Sequence, residues 1–155
     1  NIIRERNMSE ITKKTLTDYL EQIRRVLYNA IVLIPKDVIT LRNNISKYLT
    51  EEEKEWKEYF HHQTISLGPC KEENKQYLDS TQKLKVIEIG KSDKCVAVRV
   101  EELGPIKTVN KIPHITCLVS QIGKPMNSND ITDWKKIEEP FIIEGVFKEI
   151  LPGEK

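Results

Sequence analysis

Long apolar runs are missing from this 155-residue chain. None approaches the roughly 20 residues that a membrane-spanning helix requires. No positively charged start leads into an apolar stretch, so no secretory signal peptide is readable and no membrane partner is expected. Net charge is nearly absent too: 25 Lys and Arg stand against 24 Asp and Glu, a formal balance of +1. Nothing global therefore draws the protein to nucleic acid, and any attraction to a phosphate must be local. Cysteine is scarce. Cys70, Cys95 and Cys117 are an odd number without Cys-x-x-Cys spacing, which argues against a disulfide framework and for reduced thiols in an intracellular setting, cytoplasm or nucleus not distinguished. Histidine is as scarce, with three residues that all fall in two short stretches.

The length suits one compact core rather than two. Residues 9–27 read as an amphipathic helix, with Ser9 as N-cap and Leu16, Leu20, Ile23 and Leu27 at helical spacing. Its other face carries Lys13, Lys14, Arg24 and Arg25. This divides the chain into a helical extension, 1–27, and a main domain, 28–155. "YNAIVLIP" (28–35) is a buried strand stopped by Pro35, and 36–48 repeats Val38, Leu41, Ile45 and Tyr48 at helical spacing. Thr50 followed by acids has the form of a helix cap. "EYFHHQTISLG" (58–68) reads as a strand, and 69–82 as a polar loop with a short helix. Stretches 83–90 and 94–103 alternate around a turn and predict an antiparallel hairpin. "IPHITCLVS" (112–120) is a further strand. Beyond the turn formers of 121–130, "ITDW" (131–134) opens a short helix and 141–150 forms the last strand. Strands segregated from helices after the first third predict an α+β domain.

"IPHITCLVS" aims His114 and Thr116 at one face of its strand, because strand side chains alternate. "HHQTISLG" (61–68) repeats the arrangement with His62 and Thr64. Two imidazoles facing one cleft suit general acid–base chemistry, one neutral and one protonated near neutral pH. The threonine beside each adds a neutral hydroxyl donor, so that four groups surround a tetrahedral phosphate. A zinc site wants three or four ligands and none shows helpful spacing, so no metal or other cofactor is expected. By alternation His61 points away from His62, and Cys117 away from His114 and Thr116. Outside these motifs, Tyr28, Lys124, Ser128 and Asn129 are candidate substrate contacts. Each also has a plainer reading: a core tyrosine, an exposed loop lysine and ordinary turn residues.

"HQT" at 62–64 and "HIT" at 114–116, each followed by apolar residues, resemble the paired motifs of the two-histidine phosphoesterase superfamily. "YNAIVL" resembles that family's first strand, and "KIPHITCLVSQIGKPMNSNDI" resembles the second motif and following loop of its RNA-repair and cyclic phosphodiesterase branches. The resemblance covers roughly residues 28–150. It implies a bilobal fold with two antiparallel sheets flanking a central cleft and helices outside. His62 and His114 become the acid–base pair, and Thr64 and Thr116 the phosphate-binding hydroxyls. The implied activity is metal-independent hydrolysis of a 2',3'-cyclic phosphate at an RNA end or on a nucleotide. The residues leave open which histidine is the acid. Action on 2',5'-linked oligoadenylate or another phosphoester, a non-catalytic RNA-end-binding module, and a purely structural domain remain alternatives. The expected setting is a monomer, or one domain of a larger RNA-processing protein.

Overall fold

The computed structural model describes residues 15–18, 20, 21 and 25–153. Within the helix expected over 9–27, residues 15–18, 20, 21 and 25 are helical; Ser9, Lys13, Lys14, Ile23 and Arg24 lie outside the described residues. Leu16 and Leu20 are exposed rather than packed.

Seven strands follow: β1 (Tyr28–Leu33), β2 (Lys57–Glu58), β3 (His62–Leu67), β4 (Thr81–Lys91), β5 (Cys95–Glu102), β6 (His114–Val119) and β7 (Asp133–Ile150). The helix α1 (Pro35–Ile45) separates β1 from β2. Pro35 sits in its first turn, where the missing N–H is no loss, and Asp37 Oδ2 accepts the Glu144 N–H at 2.7 Å, tying α1 to β7. Leu41 and Ile45 are fully buried and Val38 packs beside them, as the helical spacing expects. Thr50 and Glu53 exchange backbone and side-chain hydrogen bonds in a capping box. The remaining helical pieces are 3-10 turns, among them Glu72–Tyr77 and Pro125–Asp130.

The expectation of two sheets is corrected. The strands form one antiparallel sheet of order β2-β6-β5-β4-β7-β1-β3. Two long strands hold it together. Along the β4–β7 ladder the register skips Ile87 in β4 and residues 137–140 in β7. Pro140, which has no N–H to give a ladder, falls in that gap. The bulge bends the strands without ending their pairing, so what would be two lobes stay hydrogen-bonded as one sheet. For the same reason "ITDW" does not open a helix: Asp133 and Trp134 begin the first arm of β7, paired with Lys91 and Gly90.

The sheet cannot be flat. Its edge strands β2 and β3 are consecutive in the chain, and three linking residues reach at most about 14 Å between Glu58 and His62. Seven flat strands would put those edges roughly 29 Å apart. The sheet therefore curls until its margins meet, and β3 touches β6. Phe60 N–H donates to the Thr116 carbonyl, and Tyr59 N–H to that of Cys117. The main core is built from Val96, Val98, Val100, Leu84, Val86 and Phe147 among others. Cys95, Ala97, Val119 and Ile131 form a smaller cluster on the other face.

Candidate active site

Alternation holds through both motifs, and in β6 it breaks after Cys117, where Leu118 joins the same core cluster. In β3, Gln63 and Ile65 are buried while His62, Thr64 and Ser66 are partly open. In β6, Ile115 and Cys117 are buried while His114 and Thr116 are partly open. Each strand also carries one extra residue directly after its threonine: pairing with β1 skips Ile65, and pairing with β5 skips Cys117. Bulges of this kind re-aim neighbouring side chains, and here they recur at matching places. The curl brings the rows together, so that His62, Thr64, His114 and Thr116 line one cleft of about 460 Å³.

The walls come from two loops, one after β5 and one after β6. Val109 and Asn110 stand on the loop after β5. That loop is pinned to β3: Thr108 Oγ1 donates to the Thr64 carbonyl at 2.9 Å, and Val109 N–H to the Ile65 carbonyl at 2.9 Å. Gln63, the middle residue of the first motif, turns the other way and donates to Glu102 Oε2 at 2.9 Å; the same oxygen accepts the Thr108 N–H at 2.6 Å. Pro125, Met126 and Asn129 close the opposite side from the 3-10 turn after β6.

The four further candidates separate. Asn129 lines the cleft. Ser128 is buried behind Thr116, their hydroxyls 2.8 Å apart. Tyr28 is stacked on His62, ring centroids 5.0 Å apart and planes 28° from parallel. Lys124 is exposed and does not line the cleft; its backbone N–H donates to Asn127 Oδ1 to cap the 3-10 turn.

His61 is where alternation fails. It lines the same cleft as His62, its Nδ1 2.8 Å from Nδ1 of His62. Phe60 adopts a φ of 44°, the left-handed region that non-glycine residues rarely enter, while its side chain is buried. That one residue reverses the chain's pleat before β3 begins, so His61 and His62 face the same space. Only the doubled histidine in the sequence hinted at it.

No Lys, Arg, Asp or Glu lines this cleft among the described residues, so its charge is the charge on its imidazoles. Burial pushes His62 down to about 4, with the His61 and His114 rings adding to the effect. Burial also lowers His114, partly opposed by the hydrogen bond from its Nδ1–H to the Ile112 carbonyl at 2.8 Å. Cys117, fully buried, has its thiol pushed far up, which makes it a core residue rather than a nucleophile. No group of three or more His, Cys, Asp or Glu suited to a metal ion occurs among the described residues. What the cleft can do is exchange protons at imidazole nitrogens around an anion held by hydroxyls. Residues 4–150 match the model of a protein family described as the fungal tRNA ligase phosphodiesterase domain. No curated protein matches the chain.

Proposed function

Because the chain belongs to the fungal tRNA ligase phosphodiesterase domain family, a two-histidine phosphoesterase type, we propose that its cleft opens 2',3'-cyclic phosphates at RNA ends without a metal ion. The observation that carries this reading is the meeting of two His-x-Thr rows across a cleft that no Lys, Arg, Asp or Glu lines among the described residues. A cyclic phosphodiester brings one negative charge. Thr64 and Thr116 offer hydroxyls to its non-bridging oxygens, and one histidine takes a proton from an attacking water while the other gives one to the leaving ribose oxygen. Bound phosphate favours the charged imidazole, offsetting the burial that lowers both rings in the empty cleft. The volume, about 460 Å³, suits a terminal nucleotide rather than a duplex end.

The test is a short RNA ending in a 2',3'-cyclic phosphate, incubated with the protein in EDTA, with His62→Ala and His114→Ala in parallel. The expected result is turnover by the intact protein and a loss of roughly 10²–10⁴-fold in each variant. No turnover of cyclic ends, with cleavage of a 2',5'-linked oligoadenylate instead, would replace this substrate by that one. Binding of the RNA end without turnover of either would make the domain a binding module.

A further inference from the structure

The Nδ1 atoms of the two motif histidines are held by chemically different partners. Nδ1 of His114 lies 2.8 Å from the Ile112 carbonyl oxygen. A carbonyl only accepts, so Nδ1 carries the proton, and in the neutral ring Nε2 keeps the lone pair. Nδ1 of His62 lies 2.8 Å from Nδ1 of His61. A contact between two ring nitrogens needs one N–H and one lone pair, and either ring has the chemistry for either part. The two rings stand edge to face, centroids 5.1 Å apart at 83°, with Tyr28 stacked on His62. The positive φ of Phe60 delivers His61 to this place, and such conformations persist where the surroundings enforce them.

We propose that His61 is a positioning residue: it donates Nδ1–H to Nδ1 of His62 and so holds His62 in the Nε2–H tautomer, opposite to that of His114. This rests on the phosphodiesterase reading and deepens it by dividing the labour. Hydrolysis needs one lone pair and one proton on the two sides of phosphorus. His114 supplies the lone pair, which leaves His62 to supply the proton.

The step balances. For the count to close, the dyad must take up one proton with the anionic substrate, so that it holds one more than two neutral rings carry. Water oxygen bonds to phosphorus, one water proton passes to Nε2 of His114, and the other stays on the new phosphomonoester. As the bond from phosphorus to the ribose oxygen breaks, the Nε2 proton of His62 goes to that oxygen. The Nδ1 proton of His61 crosses to Nδ1 of His62. Two neutral rings remain in the dyad and one imidazolium at His114, so the proton count on the protein is unchanged. Two imidazoliums in such contact would repel, which confines the dyad to a single charge.

Ring-nitrogen NMR of the full chain, with ¹⁵N-labelled histidine, reads the tautomer directly at neutral pH. The expected spectrum has His62 protonated at Nε2 and His114 at Nδ1. His61→Phe is expected to abolish the His62 preference and to lower kcat on a cyclic-phosphate RNA by about tenfold to a hundredfold, with KM within about threefold. His61→Asn places an amide N–H near the same position, and is expected to keep the His62 tautomer while recovering only part of kcat. A wild-type His62 protonated at Nδ1, or a folded His61→Phe with full kcat, would overturn the proposal. If the wild type hydrolyses no cyclic phosphate, the phosphodiesterase reading fails, and the tautomer spectrum still decides the role of His61.

Discussion

Thr116 has its hydroxyl between two neighbours, the Ser128 hydroxyl at 2.8 Å and the Pro125 carbonyl at 3.3 Å. The bond to the carbonyl is long, and a phosphate oxygen with a full charge would compete for that proton. Once it does, the Ser128 hydroxyl is the group left to donate to a Thr116 lone pair and point the O–H outward. Ser128 is buried and gives its O–H to Cys95 Sγ at 3.6 Å, a weak acceptor, so turning that hydrogen to Thr116 costs little. Ser128→Ala is expected to lower kcat/KM by up to about tenfold, the size of one neutral hydrogen bond. Steady-state kinetics alongside a urea unfolding curve check it. An activity loss matched by an equal loss of stability would point to packing rather than orientation.

At the scale of elements, the site depends on how closely β1 can lie against β7. Val32 of β1 pairs with His62, and Leu33 pairs with Gly145 of β7. A Cβ at Gly145 would stand 2.6 Å from Ile31 Cγ2 and 2.8 Å from the Val32 carbonyl oxygen. The methyl group of Ile31 has room to rotate only within a close-packed core, and the carbonyl is backbone, so β1 itself must move. Gly145→Ala is therefore expected to destabilise the fold by about 1–3 kcal/mol, as overpacking does. It should also lower kcat at temperatures well below Tm, because the displaced strand carries the partner of His62. Denaturant midpoints and kinetics on one preparation test both. An unchanged midpoint would mean that β1 and β7 separate more freely than their ladder indicates.

The whole molecule responds to pH through the same residues. His62 has its pKa pushed down from 6.5 to about 4, by burial first and then by the neighbouring rings. Unfolding returns it to water. Between those two values the unfolded chain binds more protons than the folded one, so stability rises with pH. The contribution is fully present above about pH 6.5 and is lost as pH falls through the folded value of about 4. Its full size is on the order of 3 kcal/mol, and His114, shifted in the same direction, adds to it. Urea midpoints measured from pH 7 to pH 4 should fall steeply in the wild type and less steeply in His62→Gln. Parallel slopes in the two proteins would show that His62 is not the group responsible.

Period alone determined much of this protein. The alternation of "HQTIS" and "HITCL" placed His62, Thr64, His114 and Thr116 on the open faces of their strands, and the spacing of Leu41 and Ile45 placed the buried face of α1. These are local properties, set by the two-residue repeat of a strand and the 3.6-residue turn of a helix. His61 departs from alternation because one backbone angle at Phe60 undoes it, and nothing in the residue types announces a positive φ at a phenylalanine. The cleft walls at Val109, Asn110 and Met126 belong to loops, whose positions follow from what they are tied to, not from a period. The continuity of one sheet was also invisible. It depends on bulges at Ile87 and around Pro140 that let β4 and β7 bend without unpairing, and on a curl that joins edges far apart in any flat arrangement. The sequence by itself determined which groups each strand offers. Only the tertiary structure decided that they meet, because the contact between β3 and β6 is made by closure of the whole sheet.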